Sequence, residues 1–104
     1  GVICSKVKRD YIKAKPKKES IKIINKLFEK NHIIIFTSRY MGRNNDNIQK
    51  AKAQGYKKTH KQLKKWKLKF HELRFGKPSY DFFLDDKNVF FKKKWHAYYK
   101  KKFL

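Results

Sequence analysis

The chain has 104 residues, enough for one domain with one core, and a second independent core is excluded. Thirty Lys plus Arg against eight Asp plus Glu give a net charge of +22, while 39% hydrophobic and 16% aromatic residues supply a packed interior and argue against disorder throughout. The longest apolar run, Ile33 to Phe36, is far below the roughly 20 residues of a membrane span, so no transmembrane segment is expected.

From Pro16 to Asn31 the apolar residues Ile21, Ile24, Leu27 and Phe28 recur at three- and four-residue intervals, which predicts a helix with Pro16 at its start and Asn31 as a left-handed stop. Ile33-Ile34-Ile35-Phe36 comes next as a continuous, mostly β-branched run, the pattern of a strand covered on both faces in a parallel sheet. Helix then buried strand predicts an α/β layer protein. Tyr40 to Gly55 is polar, with Gly42 and Asn44-Asn45-Asp46-Asn47 marking a loop that could face a substrate, before a weak helical stretch at Ile48 to Ala53. Thr59 and Gln62 have capping-box spacing and open a short helix through Leu63 and Trp66. Leu68 to Phe75 predicts a strand whose alternation breaks once, Gly76-Lys77-Pro78 a turn, and Phe82-Phe83-Leu84 a short buried strand ending on Asp85-Asp86.

The positive excess attracts any polyanion, whether nucleic acid, an anionic lipid surface or a phosphorylated metabolite, and does not choose among them. The scarce acids discriminate better. Glu72, Asp81, Asp85 and Asp86 fall within fifteen residues, and adjacent carboxylates repel unless a cation, a proton or hydrogen-bond donors hold them. In an open parallel sheet, ligands bind at the carboxyl ends of the strands. One predicted strand there delivers Thr37-Ser38-Arg39 and another delivers Asp85-Asp86. A hydroxyl pair, an arginine, a turn lysine and a carboxylate pair suit a phosphate with a divalent metal.

In that order and spacing, Ile33 to Arg39, Phe75-Gly76-Lys77-Pro78 and Phe82 to Asp86 resemble the second, third and fourth motifs of the haloacid dehalogenase-like (HAD) hydrolase superfamily. With Leu63, Trp66 and Phe70-His71-Glu72-Leu73 between them, the resemblance is to its small capsule or polysaccharide-biosynthesis phosphatases and covers most of Gly1 to Lys87. It implies a Rossmann-like three-layer α/β/α fold around a parallel sheet. The opening Gly1-Val2-Ile3-Cys4 is similar to the residues just after the second aspartate of the family's Asp-x-Asp-Gly motif. The resemblance therefore implies a chain cut at that point, its first, central strand and both motif-one carboxylates lying outside it, with no turnover expected from the chain alone. The domain expectation is an incomplete phosphatase core over 1–87 and a basic aromatic tail over 88–104.

The chemistry implied is hydrolysis of a small phosphomonoester, such as a sugar phosphate, through an aspartyl-phosphate with Mg²⁺. Thr37 would bind the transferring phosphoryl group, the alternative being a turn or cap hydrogen bond. Lys77 would offset charge on phosphate and nucleophile, against a solvated lysine. Asp85 would ligate Mg²⁺ and Asp86 would be a second or supporting ligand, against an exposed turn with lysine partners. Arg39 either clamps substrate or pairs with a carboxylate, and Ser38 supports the phosphate site.

His32, His60, His71 and His96 have no zinc-ligand spacing, and Cys4 has no histidine partner in sequence and is expected to be a packing residue. A single cysteine excludes an internal disulfide, and no secretory leader pattern is present, so a cytoplasmic location is the expectation. In the acid-free tail, Phe91, Trp95, Tyr98 and Lys102 have helical spacing, predicting a helix docked through Trp95 or one lying on RNA or an anionic membrane. The competing functional reading is a small basic nucleic-acid-binding protein in which Asp85 and Asp86 are incidental.

Overall fold

A computed structural model describes residues 2–8, 10–78, 80–88 and Trp95. The first helical periodicity forms α1 (Lys18–Phe28), which buries Ser20, Ile21, Ile23 and Ile24 and half-buries Leu27 and Phe28. Pro16 lies just outside the helix in an antiparallel bridge with Cys4, and Lys17 is the N-cap. The chain before α1 is tied there by Lys17 N–H to the Ile3 carbonyl at 2.7 Å and Ser5 N–H to the Lys15 carbonyl at 2.9 Å. Asn31 does not stop the helix by adopting a left-handed backbone. Its side-chain amide donates to the Leu27 carbonyl at 2.9 Å, satisfying an orphan carbonyl of the last turn.

Strands β1 (Ile34–Thr37) and β2 (Glu72–Phe75) pair in parallel, with Ile34 opposite Glu72 and Thr37 opposite Phe75. Parallel neighbours need a long crossover, and α2 (Ile48–Lys65) is that crossover. The protein is thus a small α/β domain with two helices and a two-stranded parallel sheet among the described residues. The core is a cluster of Ile21, Ile24, Met41, Ala51, Leu63, Leu68, Leu73 and Phe75, joining both helices and β2 to the loop after β1. Each large aliphatic side chain so buried contributes about 1.5–3 kcal/mol. Asn25 of α1 fastens the helix to the turn after α2, donating to the Lys67 carbonyl at 3.0 Å and accepting from Lys69 N–H at 2.7 Å.

Four further expectations are corrected. β1 is not covered on both faces: Ile34 and Phe36 are exposed, while Ile35 and Thr37 are half-buried, because the core packs against the face that carries Ile33 and Ile35. The strand expected over Leu68 to Phe75 is confined to β2, and Leu68 is buried ahead of it. The weak stretch at Ile48 and the short helix at Thr59 are a single helix, so Thr59 and Gln62 lie inside α2 and the real N-cap is Asn47, whose side chain accepts from Lys50 N–H at 3.0 Å. Phe82-Phe83-Leu84 is not a buried strand. Phe82 and Leu84 are 89% and 96% exposed, since no described strand offers them ladder hydrogen bonds or an apolar face.

No helix among the described residues is long and apolar enough to cross a membrane. The tail expected over 88–104 lies outside the described residues except for Asn88 and Trp95, and Trp95 packs, half-buried, against the core.

Candidate functional site

Parallel pairing puts the C-terminal ends of β1 and β2 side by side, and the residues that leave them meet. Lys77 N–H donates to the Thr37 carbonyl at 3.2 Å, so the turn after β2 is tied to the end of β1. Gly76 sits there at φ +105°, a conformation open to glycine, and a Cβ on it would press on the Ile48 side chain. A cavity of about 430 Å³ opens at this end of the sheet, between residues 2–7 and β1. Thr37, Ser38, Arg39 and Lys77 all line it, with Thr59, Leu63 and Trp66 of α2 and its C-cap beside them. The consecutive Thr37, Ser38 and Arg39 and the sequence-distant Lys77 are thereby brought to one volume.

The Thr37 hydroxyl oxygen accepts from Arg39 N–H at 3.1 Å, the turn hydrogen bond that is the alternative to a phosphate role. A hydroxyl has a second lone pair and a proton to donate, so that bond leaves capacity toward the cavity. Arg39 neither pairs with a carboxylate among the described residues nor stands unheld. Its guanidinium donates to Gln62 Oε1 at 2.7 Å, to Thr59 Oγ1 at 3.4 Å and to Cys4 Sγ at 3.6 Å, and lies 4.9 Å from the Tyr11 ring centroid. Among the described residues no carboxylate pairs with it, so its positive charge has no anionic side chain beside it at the cavity wall. Gln62 in turn donates to the Tyr11 carbonyl at 2.8 Å. Lys77 is half-buried, with its ammonium 5.6 Å from the Tyr80 ring centroid.

Thr59, Gln62, Tyr11 and Cys4 do not stand out in sequence as parts of this site. The spacing of Thr59 and Gln62 is the available signal: three residues apart inside a helix, a hydroxyl and an amide share a face and can hold one arginine. The Asn44 to Asn47 segment does not line the cavity. It is a self-bonded turn in which Asn45 and Asp46 take left-handed backbone and the Asn44 amide donates to the Tyr40 carbonyl at 2.8 Å and to Gln54 Oε1 at 2.9 Å.

Asp85 and Asp86 lie in an exposed turn and are not among the residues lining the cavity. The Lys87 N–H, which donates to Asp85 Oδ1 at 3.1 Å, and then a hydrogen bond with Asp86 hold the Asp85 carboxyl below its ordinary range. Two adjacent carboxylates are hard oxygen donors of the kind Mg²⁺ takes, with water and phosphate oxygens completing its shell. Among the described residues no group of three His, Cys, Asp or Glu side chains converges on a metal position.

A second polar cluster lies at the opposite, N-terminal end of the sheet. His32 Nε2 and Glu72 Oε2 are 2.9 Å apart, Arg74 donates to the same carboxylate at 3.2 Å, and His71 Nδ1 accepts from Ile33 N–H at 3.0 Å. The hydrogen bond with His32, then that from Arg74, hold the Glu72 carboxyl below its ordinary value.

Comparison with protein-family models, with curated proteins and with solved structures returned no match.

Proposed function

We propose that the chain is the phosphate-holding part of a Mg²⁺-dependent phosphomonoester hydrolase of the HAD type, acting on a small phosphorylated metabolite such as a sugar phosphate. The observation that carries this reading is the convergence of Thr37, Ser38, Arg39 and Lys77 on one cavity at the carboxyl ends of two parallel strands. The HAD resemblance assigns the same residues to phosphate contact from motif order alone, and among the described residues no acid lines the cavity to oppose an anion. The Rossmann-like three-layer arrangement belongs to the same proposal, with β1, α2 and β2 as one parallel unit of it.

In this reading the Thr37 hydroxyl and the amides of the turn after β1 bind the phosphoryl oxygens. Lys77 draws negative charge off them, and Arg39, fixed by Gln62 and Thr59, supplies a static positive field. Asp85 and Asp86 would hold Mg²⁺, which neutralises phosphate charge when bound. They do not line the cavity, so the reading requires their exposed turn to come up to it. Hydrolysis through a covalent intermediate also needs an attacking carboxylate, and none lines the cavity among the described residues. Positioning a phosphate without an attacking group leaves the chemical barrier largely intact.

The test is to join a strand ending in Asp-x-Asp directly ahead of Gly1 and to assay a broad phosphomonoester panel with Mg²⁺. Turnover is expected from the joined protein and none from the chain alone, with Lys77→Ala and Asp85→Asn each lowering kcat by at least about a hundredfold. A joined, folded protein inert toward the whole panel overturns the reading.

A further inference from the structure

The side of α2 turned away from the core carries a second feature, independent of the cavity. From Asn47 to His71 the chain has no acid and nine lysines. At about 100° per residue, Lys50, Lys57, Lys58, Lys61, Lys64 and Lys65 fall within a stripe about 120° wide. All six are exposed, and the buried residues Gly55, Thr59 and Leu63 lie on the opposite side of the helix. No ion pair among the described residues reaches any of the six. Lysines three and four apart, such as Lys57 with Lys61 and Lys61 with Lys64 and Lys65, repel by a few tenths of a kcal/mol per pair in an isolated helix. The stripe is therefore a concentrated positive field without internal compensation. By contrast, α1 carries Lys18, Lys22 and Lys26 together with Glu19, and Glu29 caps its end.

We infer that the exposed lysine face of α2 is a binding surface for the phosphodiester backbone of nucleic acid, held without sequence preference. From Lys50 to Lys65 the stripe runs about 22 Å along the helix at 1.5 Å per residue. That matches about six base-pair steps at 3.4 Å per phosphate on a strand. The stripe holds no large apolar side chain, which a helix lying in a lipid interface needs, so a polyanion that stays in water is the partner it fits. A hollow of about 620 Å³ flanks its N-terminal half, lined by Gln49, Lys52, Tyr56, Lys57 and Lys58 among others. Amide and phenol groups beside lysines supply the hydrogen bonds to phosphate and sugar oxygens that hold a backbone in place. The inference does not rest on the phosphatase reading, since the stripe and the cavity are formed by different residues.

The test measures binding of a mixed-sequence DNA duplex, a single strand and anionic phospholipid vesicles across a salt series, with two variants of equal charge change. One replaces α2 lysines (Lys57→Gln, Lys58→Gln, Lys61→Gln, Lys64→Gln, Lys65→Gln). The other replaces exposed lysines elsewhere (Lys13→Gln, Lys18→Gln, Lys22→Gln, Lys26→Gln, Lys30→Gln). The unaltered chain is expected to bind with affinity falling steeply with salt. In the α2 variant, the slope of log affinity against log salt on duplex should flatten by about four, with at least about a hundredfold loss of affinity at low salt. The second variant should keep most of both. Equal losses in the two variants would show a diffuse charge effect and overturn the inference. So would binding to anionic vesicles with none to nucleic acid, or no binding to either.

Discussion

Arg39 shows how a charged side chain can be both structural and electrostatic. Gln62, Thr59, Cys4 and the Tyr11 ring fix its direction, and because none of them is anionic the charge remains available to an anion in the cavity. A sequence shows the arginine after a strand but not that its partners come from a helix twenty residues on, because an i, i+3 hydroxyl-amide pair has the same spacing as a capping box. Glu72 is the contrasting case of a paired charge. His32 and Arg74 keep its folded-state carboxyl below the ordinary value of 4.5, so its contribution to stability is present above that pH and is lost as the pH falls through the lowered folded value. Thermal melts taken from about pH 6 down to about pH 3 should show Glu72→Gln losing less stability on acidification than the unaltered chain. Identical acid limbs would remove this pairing from the account.

Among the elements, α1 is legible in sequence because its buried positions are mostly large and apolar, Ile21, Ile23 and Ile24 beside Ser20, while its start at Lys18 and the mechanism of its stop are not. Helix α2 reads as two segments for a physical reason. Its buried row is Ala51, Gly55, Thr59 and Leu63, mostly small residues that let the helix approach closely and give almost no hydrophobic periodicity. Gly55 marks the tightest point: a Cβ there would overlap the Tyr40 ring, which is itself held edge-on by Tyr11 at 4.9 Å and covered by Arg43 at 4.6 Å. In an open helix, Gly→Ala stabilises by about 1 kcal/mol. Here Gly55→Ala is expected to destabilise by about 1–3 kcal/mol in urea unfolding, because the overlap exceeds the propensity gain. Stabilisation would mean that Tyr40 does not pack on α2 as described. Phe82 to Leu84 misleads for the opposite reason: a continuous apolar run signals burial only where a neighbour exists to bury it.

Across the chain, a charge of +22 is plain from composition, but composition does not say that it divides into two kinds of surface. One is a cavity lined by Thr37, Arg39 and Lys77, and the other is an open stripe on α2. The motif order Thr37, Lys77, Asp85 is readable, and the first two do converge, because parallel pairing of β1 with β2 aligns the ends that carry them. Asp85 does not join them: its turn is exposed and does not line the cavity. An amide NMR titration of the chain with inorganic phosphate in moderate salt separates the two surfaces. The phosphate reading expects saturable shifts centred on Ser38, Arg39 and Lys77 and their loss in Lys77→Ala. Shifts confined to the α2 lysines, with the amides after β1 and β2 unmoved, would contradict it.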